Sequence, residues 1–478
     1  MNFKVILYTL GWVLCCEAAC MLLPFICAAI YGEKEMFTFL ICISICLICG
    51  LVFIFSNPKN REMYAKEGFI VAALSWIVIS AFGALPFVIS GSIPSYVDAL
   101  FEAASGFSTT GASILTDVEA LPKSVLMWRS FTHWIGGMGV LVFLIAFLPL
   151  SGGSNLFMIK AESPGPSVGK IVPKIKTCAK ISYGIYFSMT IIQIIILHLS
   201  GMTLFESITH AFGTAGTGGF GIKNTSIAGY TSFQQIVITV FMFLFGVDFT
   251  FYYLLLTKKI KTAFKMEEVK MYLLIVLIAI AVIYFNCAKL YPSVFEGIKH
   301  TAFQVASVIT TTGYSTVDFN LWPELSKTIL VLLMFVGACA GSTGGGIKVS
   351  RIVILIKSVF KEIKIAASPK TTHKISFNQK SVDNQVVKSI CVYLAAYVVI
   401  FFSSMLIISL DNFDFTTNFT AVAATLNNIG PGLSQVGPVE NFSIFSPFSK
   451  LVLTFDMLIG RLELFPFLIL FSPNTWRK

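Results

Sequence analysis

FQVASVITTTGYS, residues 303–315, has three counterparts elsewhere in the same chain: FEAASGFSTTGAS at 101–113, THAFGTAGTGGFG at 209–221 and TAVAATLNNIGPG at 420–432. Aligned on Gly313, Gly111, Gly219 and Gly430, three of the four share small residues seven and six places upstream: Ala306 and Ser307, Ala104 and Ser105, Ala423 and Ala424. The second copy is less regular, with Phe212 and Gly213 at those places. Each stretch is preceded by one long apolar run and followed by another. The repeating unit therefore reads span, re-entrant helix, Gly-centred loop, span. A repeat of this kind fixes an architecture ahead of any single residue, because each unit completes its packing only against its neighbours.

The composition agrees. Hydrophobic residues make up 56% of the 478 residues and charged residues 12%, where a soluble domain carries roughly 25% charge. So little charge cannot cover a water-facing surface. Apolar runs of spanning length, about 20 residues, occur near 5–31, 36–56, 68–92, 127–150, 180–201, 233–257, 271–290, 328–357, 386–410 and 449–472. The first is too long for a signal-peptide core and is followed by no small-residue cleavage site, so it reads as a retained helix. Basic clusters fall on every second loop: Lys59, Arg61 and Lys66; Lys160 to Lys180; Lys258 to Lys270; Lys348 to Lys388. Basic loops mark the cytoplasmic side, which places both termini inside and makes the net charge of +10 a feature of membrane topology, not of nucleic-acid binding. The 11 cysteines show no zinc-site or disulfide spacing and read as small apolar residues within helices.

The resulting expectation is an all-α polytopic membrane protein. An N-terminal transmembrane hairpin (1–57) precedes four span–pore-helix–span repeats (68–150, 180–258, 271–357 and 386–472) in pseudo-fourfold arrangement around one pore. The long outward connections at 93–126, 202–232, 291–327 and 411–448 are too apolar for solvated linkers and too polar to span. They suit loops that dip into the membrane and line a water-filled cavity.

Such a unit suits an alkali cation. A dehydrating monovalent cation needs a ring of oxygens without a strong fixed anion, and backbone carbonyls supply it. Glycine admits positive φ and can turn carbonyls toward an axis. The candidate ligands are Thr109, Thr110 and Gly111; Thr217, Gly218 and Gly219; Thr311, Thr312 and Gly313; and Asn428, Ile429 and Gly430. Re-entrant helices would aim their negative C-terminal ends at the same point. The outward-side acids Asp98, Glu102, Asp117, Glu119, Glu206, Glu296, Asp318, Asp411, Asp414 and Glu440 have two readings: a cation-concentrating mouth or ordinary capping and solvated carboxylates.

The run 328–357 is interrupted by GACAGSTGGGIK (337–348). So much glycine destabilises a continuous helix, and broken helices at membrane depth line transport pathways. GSTGGGIK is no phosphate-binding loop, since Ile347 stands where that motif requires Lys. Arg461, in DMLIGRLELFP, is an intramembrane charge and thereby a functional candidate, its partners being loop carbonyls, Asp456 or Glu463. His133 reads as a packing or hydrogen-bonding residue.

TTTGYST (310–316) resembles a relaxed potassium-channel filter signature. STTGAS with WRSFTHWIGGMGVLV (128–142), AGSTGGGIKVSR (340–351) and NNIGPGL (427–433) are similar to the repeats of the TrkH/TrkG potassium uptake proteins, within the wider Trk/Ktr/HKT superfamily. The resemblance covers nearly the whole chain, and the extra hairpin is TrkH-like, not KtrB-like. It implies potassium uptake across the bacterial inner (plasma) membrane, with K+ as the transported ion. It also implies a homodimer and a cytosolic TrkA-type regulatory ring that carries the nucleotide. Residues Gly341, Ser342, Thr343, Gly344, Gly345 and Gly346, with Lys348 and Arg461, would then form an intramembrane gate below the filter. Gly111, where sodium-permeable relatives carry Ser, favours K+. A Na+-permeable channel or K+/cation symporter is the alternative. An enzyme is disfavoured, since none of the five His residues lies in a paired motif. Basic loops would also meet anionic lipid.

Overall fold

The computed structural model describes residues 2–56, 58, 64–139, 175–368, 373–378 and 380–476. The lysines at 160, 170 and 174, and the expected end of the fourth run beyond residue 139, lie outside that set. The first helix, Phe3–Cys20, continues after a break at Met21 as Leu22–Tyr31 and turns into Glu35–Ile54 through the left-handed Gly32 (φ 66°). Gly11 and Gly50 let the two backbones approach: an ideal Cβ on Gly11 would lie 2.6 Å from the Gly50 carbonyl oxygen. This is the small-residue packing by which membrane helices associate.

Four similar runs of helices follow. Ala65–Gly83, Tyr96–Phe107 and Lys123–Gly137 make the first. Ile175–Leu199, Leu204–Ala215 and Ser232–Phe245 make the second. Glu267–Cys287, Val294–Ile309 and Glu324–Met334 make the third. Asn384–Ile408, Phe415–Leu426 and Pro447–Arg461 make the fourth. The middle helix of each run is short and begins at a polar cap. Ser95, Thr203, Ser293 and Asp414 accept the backbone N–H groups of Asp98, Glu206, Glu296 and Thr417. Such caps satisfy donors that the first helical turn leaves open, and an acid in that turn suits the positive end of the helix dipole.

Among the described residues, six helices are long and apolar enough to cross a membrane: Phe3–Tyr31, Glu35–Ile54, Lys66–Ile89, Lys180–Leu199, Glu267–Leu290 and Asn384–Asp411. Three of the other expected crossings are not continuous. The helix Ser232–Phe245 turns by 90° into Phe249–Leu256. Glu324–Met334 is separated from Val349–Ala367 by the glycine-rich stretch. Pro447–Arg461 stops where Glu463 and Leu464 both take positive φ (59° and 65°), a conformation that non-glycine residues adopt only under constraint. In the second, third and fourth runs the last helix is thus the one that breaks. A two-residue strand pair, Ser376–Phe377 with Lys380–Ser381, is the described exception to an all-helical chain.

The connections that follow the four short helices touch one another in cyclic order. Asn224 of the second accepts from Val118 N–H (2.8 Å) and donates to Asp117 (2.8 Å) of the first. Ile227 of the second donates to the Ser315 carbonyl (3.0 Å) of the third. Asn320 of the third accepts from Ser434 N–H (3.0 Å) of the fourth, and Phe442 of the fourth donates to the Ser113 carbonyl (2.8 Å) of the first. The chain is therefore closed on itself around an axis.

Asn224 is the largest of these clasps. Its side-chain amide, with the Glu119 and Ala120 backbone N–H groups, holds the Asp117 carboxyl below the ordinary value of 3.8. A carboxyl with a depressed folded pKa contributes stability above its unfolded value and loses it as pH falls through the folded one. The clasp should therefore hold at neutral pH and loosen only in acid below 3.8. Asn224→Ala is expected to speed amide exchange over residues 113–121 at neutral pH and to abolish the extra acid-induced rise. Equal exchange in both proteins at neutral pH would contradict the clasp.

Candidate functional site

Each short helix ends in the same way. The amide of Thr110 bonds to the Ser105 carbonyl (2.9 Å), Gly218 to Gly213 (2.9 Å), Thr312 to Ser307 (2.8 Å) and Ile429 to Ala424 (2.8 Å). One residue earlier, Thr109, Thr217, Thr311 and Asn428 bond back to Gly106, Thr214, Val308 and Thr425. This pair of bonds is the Schellman motif, which needs a left-handed residue and normally uses glycine. Here the four left-handed residues are Thr109, Thr217, Thr311 and Asn428, with φ of 57°, 54°, 59° and 57°. For β-branched threonine that conformation costs on the order of 1–3 kcal/mol, so the neighbours must impose it. Two residues on, Gly111, Gly219, Gly313 and Gly430 also have positive φ (79°, 75°, 84° and 101°). The sign of φ thus alternates through each loop, which turns successive carbonyls to one side of the strand.

The loops interlock through those glycines. A Cβ built on Gly111 would fall under 3.0 Å from the Gly218 carbonyl oxygen, one on Gly219 from Thr312 O, one on Gly313 from Ile429 O, and one on Gly430 at 2.9 Å from Thr110 O. Each filter-position glycine thus faces the carbonyl that precedes the glycine of another loop, in the order first to second to third to fourth to first. All twelve candidate ligands come together at this ring. Thr110 Oγ1 pairs with Ser108 Oγ (2.7 Å) and Thr312 Oγ1 with Thr310 Oγ1 (2.8 Å). Asn428 donates to Thr110 Oγ1 and to the Met457 carbonyl, each at 2.9 Å.

Side chains behind the ring fix its position. Glu102, fully buried, pairs with Arg129 at 2.5 Å and accepts from Ser113 Oγ and Ile114 N–H. Arg129 also donates to the Gly221 carbonyl and lies over the Phe220 ring, 3.6 Å from its centroid. His133 is buried, with Nδ1 2.8 Å from the Gly106 carbonyl while Nε2 accepts from Phe220 N–H at 3.3 Å. The two bonds together require the Nδ1–H tautomer, as expected for a hydrogen-bonding histidine. Tyr314 donates toward the Phe220 carbonyl, and Ser307 Oγ donates to the Tyr314 carbonyl (2.6 Å).

The outward acids resolve mostly as braces and caps. Asp98 pairs with Lys450 at 2.6 Å, Glu206 completes a capping box with Thr203, and Glu296 pairs with Lys299 at 2.7 Å. Asp318, Asp411 and Asp414 accept backbone N–H groups of Asn320, Ser446 and Thr417. Each of these acids has a partner within the chain, a backbone N–H, a hydroxyl or a lysine.

Residues 337–348 lie against the helix-end side of the ring. Gly345 N–H donates to Thr311 Oγ1 (2.7 Å), and a Cβ on Gly345 would sit 2.6 Å from the Asn427 carbonyl oxygen. Thr343 Oγ1 reaches the Phe245 carbonyl (3.3 Å). Lys348, buried, donates to the carbonyls of Gly344 and Gly345. Arg461 donates to the Thr343 carbonyl (2.9 Å) and to the carbonyls of Gly136 (2.6 Å) and Gly137 (2.8 Å). Of the partners considered for Arg461, loop carbonyls are thus engaged, while Asp456 accepts from Ser404 and Glu463 pairs with Arg351. All eight candidate gate residues belong to this loop or contact its neighbourhood, and Gly341 is at its edge, its carbonyl accepting from Phe249 N–H. Sequence reasoning missed Gly136 and Gly137, although the GG pair at the end of WRSFTHWIGG was a signal. It also missed Asp248 and Glu268, acids at helix starts.

Removing His133 tests whether the ring is braced from behind. His133→Ala would leave the Phe220 N–H unpaired and take one of two partners from the Gly106 carbonyl, an expected loss of about 2 kcal/mol, seen as a lower Tm of the purified protein. An unchanged Tm would contradict the brace.

Comparison with known proteins agrees with this geometry. Residues 33–478 match the family model described as TrkH, cation transport protein. The chain is 34% identical over 488 residues to the Trk system potassium uptake protein TrkH of Escherichia coli K12, covering all of both chains. It is 32% identical to that organism's Trk system potassium uptake protein TrkG, covering 100% of this chain and 99% of TrkG. The crystal structure of the potassium transporter TrkH from Vibrio parahaemolyticus superposes with a TM-score of 0.90 at 32% identity, each chain covered completely. With four interlocked loops, a broken span beneath them and a match over almost its full length, the chain belongs to the TrkH family of cation transport proteins.

Proposed function

We propose that the chain carries potassium across a bacterial inner membrane through the ring of Thr110, Gly218, Thr312 and Ile429 carbonyls. The observation that carries this reading is the cyclic interlock of those carbonyls with Gly430, Gly111, Gly219 and Gly313. A ring of neutral oxygens replaces the hydration shell of an alkali cation without trapping it. Two further oxygens support it: Thr109 Oγ1 and Asn428 Oδ1 are buried with no hydrogen-bond partner, and a buried acceptor left unpaired costs free energy that a bound cation offsets. The C-terminal ends of four helices converge there, adding negative potential. The named relatives are potassium uptake proteins. The residues of the four filter triplets are the proposed ion ligands.

The repeats proposed for this pathway are 68–150, 180–258, 271–357 and 386–472, after the hairpin 1–57. The basic loops face the cytoplasm, and both termini lie there. Residues 341–346, with Lys348 and Arg461, act as the gate, since the loop presses on Thr311 and is held by cationic side chains on its carbonyls. A cytosolic TrkA-type ring that binds nucleotide drives the gate, and the subunit pairs as a homodimer. The relatives' designation as parts of a "Trk system" supports a multicomponent assembly.

Three transport experiments test the reading, in cells lacking their own potassium importers. Rb+ uptake by the native chain is expected to resist excess Na+, whereas Gly111→Ser, whose Cβ must displace the Gly218 carbonyl, is expected to lose that resistance or its flux; Na+-sensitive uptake by the native chain would favour the sodium-permeable alternative. Gly313→Asp, which puts a fixed anion against the Ile429 carbonyl, is expected to abolish uptake while leaving membrane insertion intact, and native uptake by that variant would remove the filter from its assigned place. Shortening 341–346 is expected to raise basal uptake, and unchanged or lower uptake by a well-expressed deletion would remove the gate.

A further inference from the structure

We propose that Glu268 is the clasp that holds the intramembrane loop closed, a positioning residue that touches neither ring nor ion. The proposal rests on the reading of residues 341–346 as a gate. Glu268 opens the helix Glu267–Cys287 and is buried, 3% exposed. One of its oxygens, Oε1, accepts two backbone N–H groups: Ala340, where the loop begins (2.7 Å), and Ser350, in the first turn of the helix after the loop (3.1 Å). A single carboxylate thereby ties together the two ends of the break. The ends also meet directly, through Gly337 N–H to the Ile347 carbonyl (2.8 Å). That bond leaves the Ala340 and Ser350 amides for Glu268.

The clasp has a fixed base. The Glu267 amide donates to Asn378 Oδ1 at 2.7 Å, from the turn between the two short strands. The Glu267 carboxylate pairs with Lys357, on the helix that follows the loop, and Lys357 also donates to the Ser376 carbonyl at 2.8 Å. The helix start that carries Glu268 is thus tied to the helix beyond the loop and to the strand pair. On the other edge of the loop, Phe249 N–H donates to Gly341 O (3.1 Å), Cys339 N–H donates to Gly246 O (3.0 Å), and the Asp248 carboxylate accepts from Thr250 N–H (2.8 Å). Those contacts come from the 90° bend of the second run. They hold the loop's edge in place, whereas Glu268 is the described side chain that bonds both of its ends. Opening the loop by moving the flanking helices apart must therefore break at least one Glu268 bond, while the ring can keep its geometry.

Charge-assisted hydrogen bonds are about twice as strong as neutral ones. Glu268→Gln keeps an acceptor oxygen but removes the charge, and Glu268→Ala removes the acceptor as well. Basal Rb+ uptake without added partner is expected to rise in the order native, Glu268→Gln, Glu268→Ala, by about fivefold for Gln and more for Ala. The ratio of Rb+ to Na+ uptake is expected to stay native in both, because neither change touches the ring. Loss of that ratio would show general unfolding and overturn the proposal. If Ala impairs expression, Gln alone carries the test, and native or lower basal uptake by Gln overturns the clasp. The deletion within 341–346 separates the two readings. If it raises uptake and the Gln variant does not, the clasp falls and the gate stands. If neither raises uptake, both fall.

Discussion

The structure depends on four positions at which no side chain fits. At Gly111, Gly219, Gly313 and Gly430 a Cβ would collide with a carbonyl oxygen from another loop. Positive φ at each would be strained for any other residue. The consequence reaches outward. Loops can close around an axis only if each yields its Cβ position to its neighbour's carbonyl. The helices before them end in matched Schellman bonds at 105–110, 213–218, 307–312 and 424–429, which start the four loops with the same local geometry. The buried Glu102–Arg129 pair and His133 tie the first and second loops together from behind. A buried ion pair is weak support for stability alone, but here each member also bonds loop backbone, so its geometric role is plain.

A second constraint acts on the other side of the ring. Backbone freed from helical bonding inside a membrane must find partners, since lipid offers none. Over 337–348 those partners are other backbone groups, the Thr311 hydroxyl and three ionisable side chains. Lys348 and Arg461 donate to loop carbonyls, and Glu268 accepts loop amides. The basic side chains sit on carbonyls and the carboxyl on N–H groups, so these three side chains add to the neutral bonds of the loop. Such an arrangement holds the loop firmly in one position and leaves a discrete set of bonds to break when it moves.

Much of this was legible in the sequence. The four glycines announced the ring, and GACAGSTGGGIK announced the break, because glycine at membrane depth leaves few other interpretations. The left-handed Thr109, Thr217 and Thr311 were not legible. Branching at Cβ argues against that conformation, which arises only from the helix-end bonds and the packing of neighbouring loops. Their oxygens make them candidate ligands in the sequence, and their left-handed backbone ends the short helices. The breaks after Phe245 and Arg461 were hidden within apolar runs that hydropathy reads as continuous. The outward acids were ambiguous because a capping carboxylate and a cation-attracting one have the same composition; Ser95, Thr203 and Ser293, three residues before Asp98, Glu206 and Glu296, were the deciding signal. Glu268 could not be singled out, since its partners are backbone amides 72 and 82 residues away.

The central claim is that the carbonyls of Thr110, Gly218, Thr312 and Ile429 hold the transported ion. Anomalous diffraction from crystals of the protein grown in Rb+ tests it directly. The expected result is a Rb+ peak on the axis enclosed by the four loops, with those carbonyls as its nearest oxygens, weakened when Na+ replaces Rb+. A peak elsewhere in the molecule, with none between the four loops, would contradict the account.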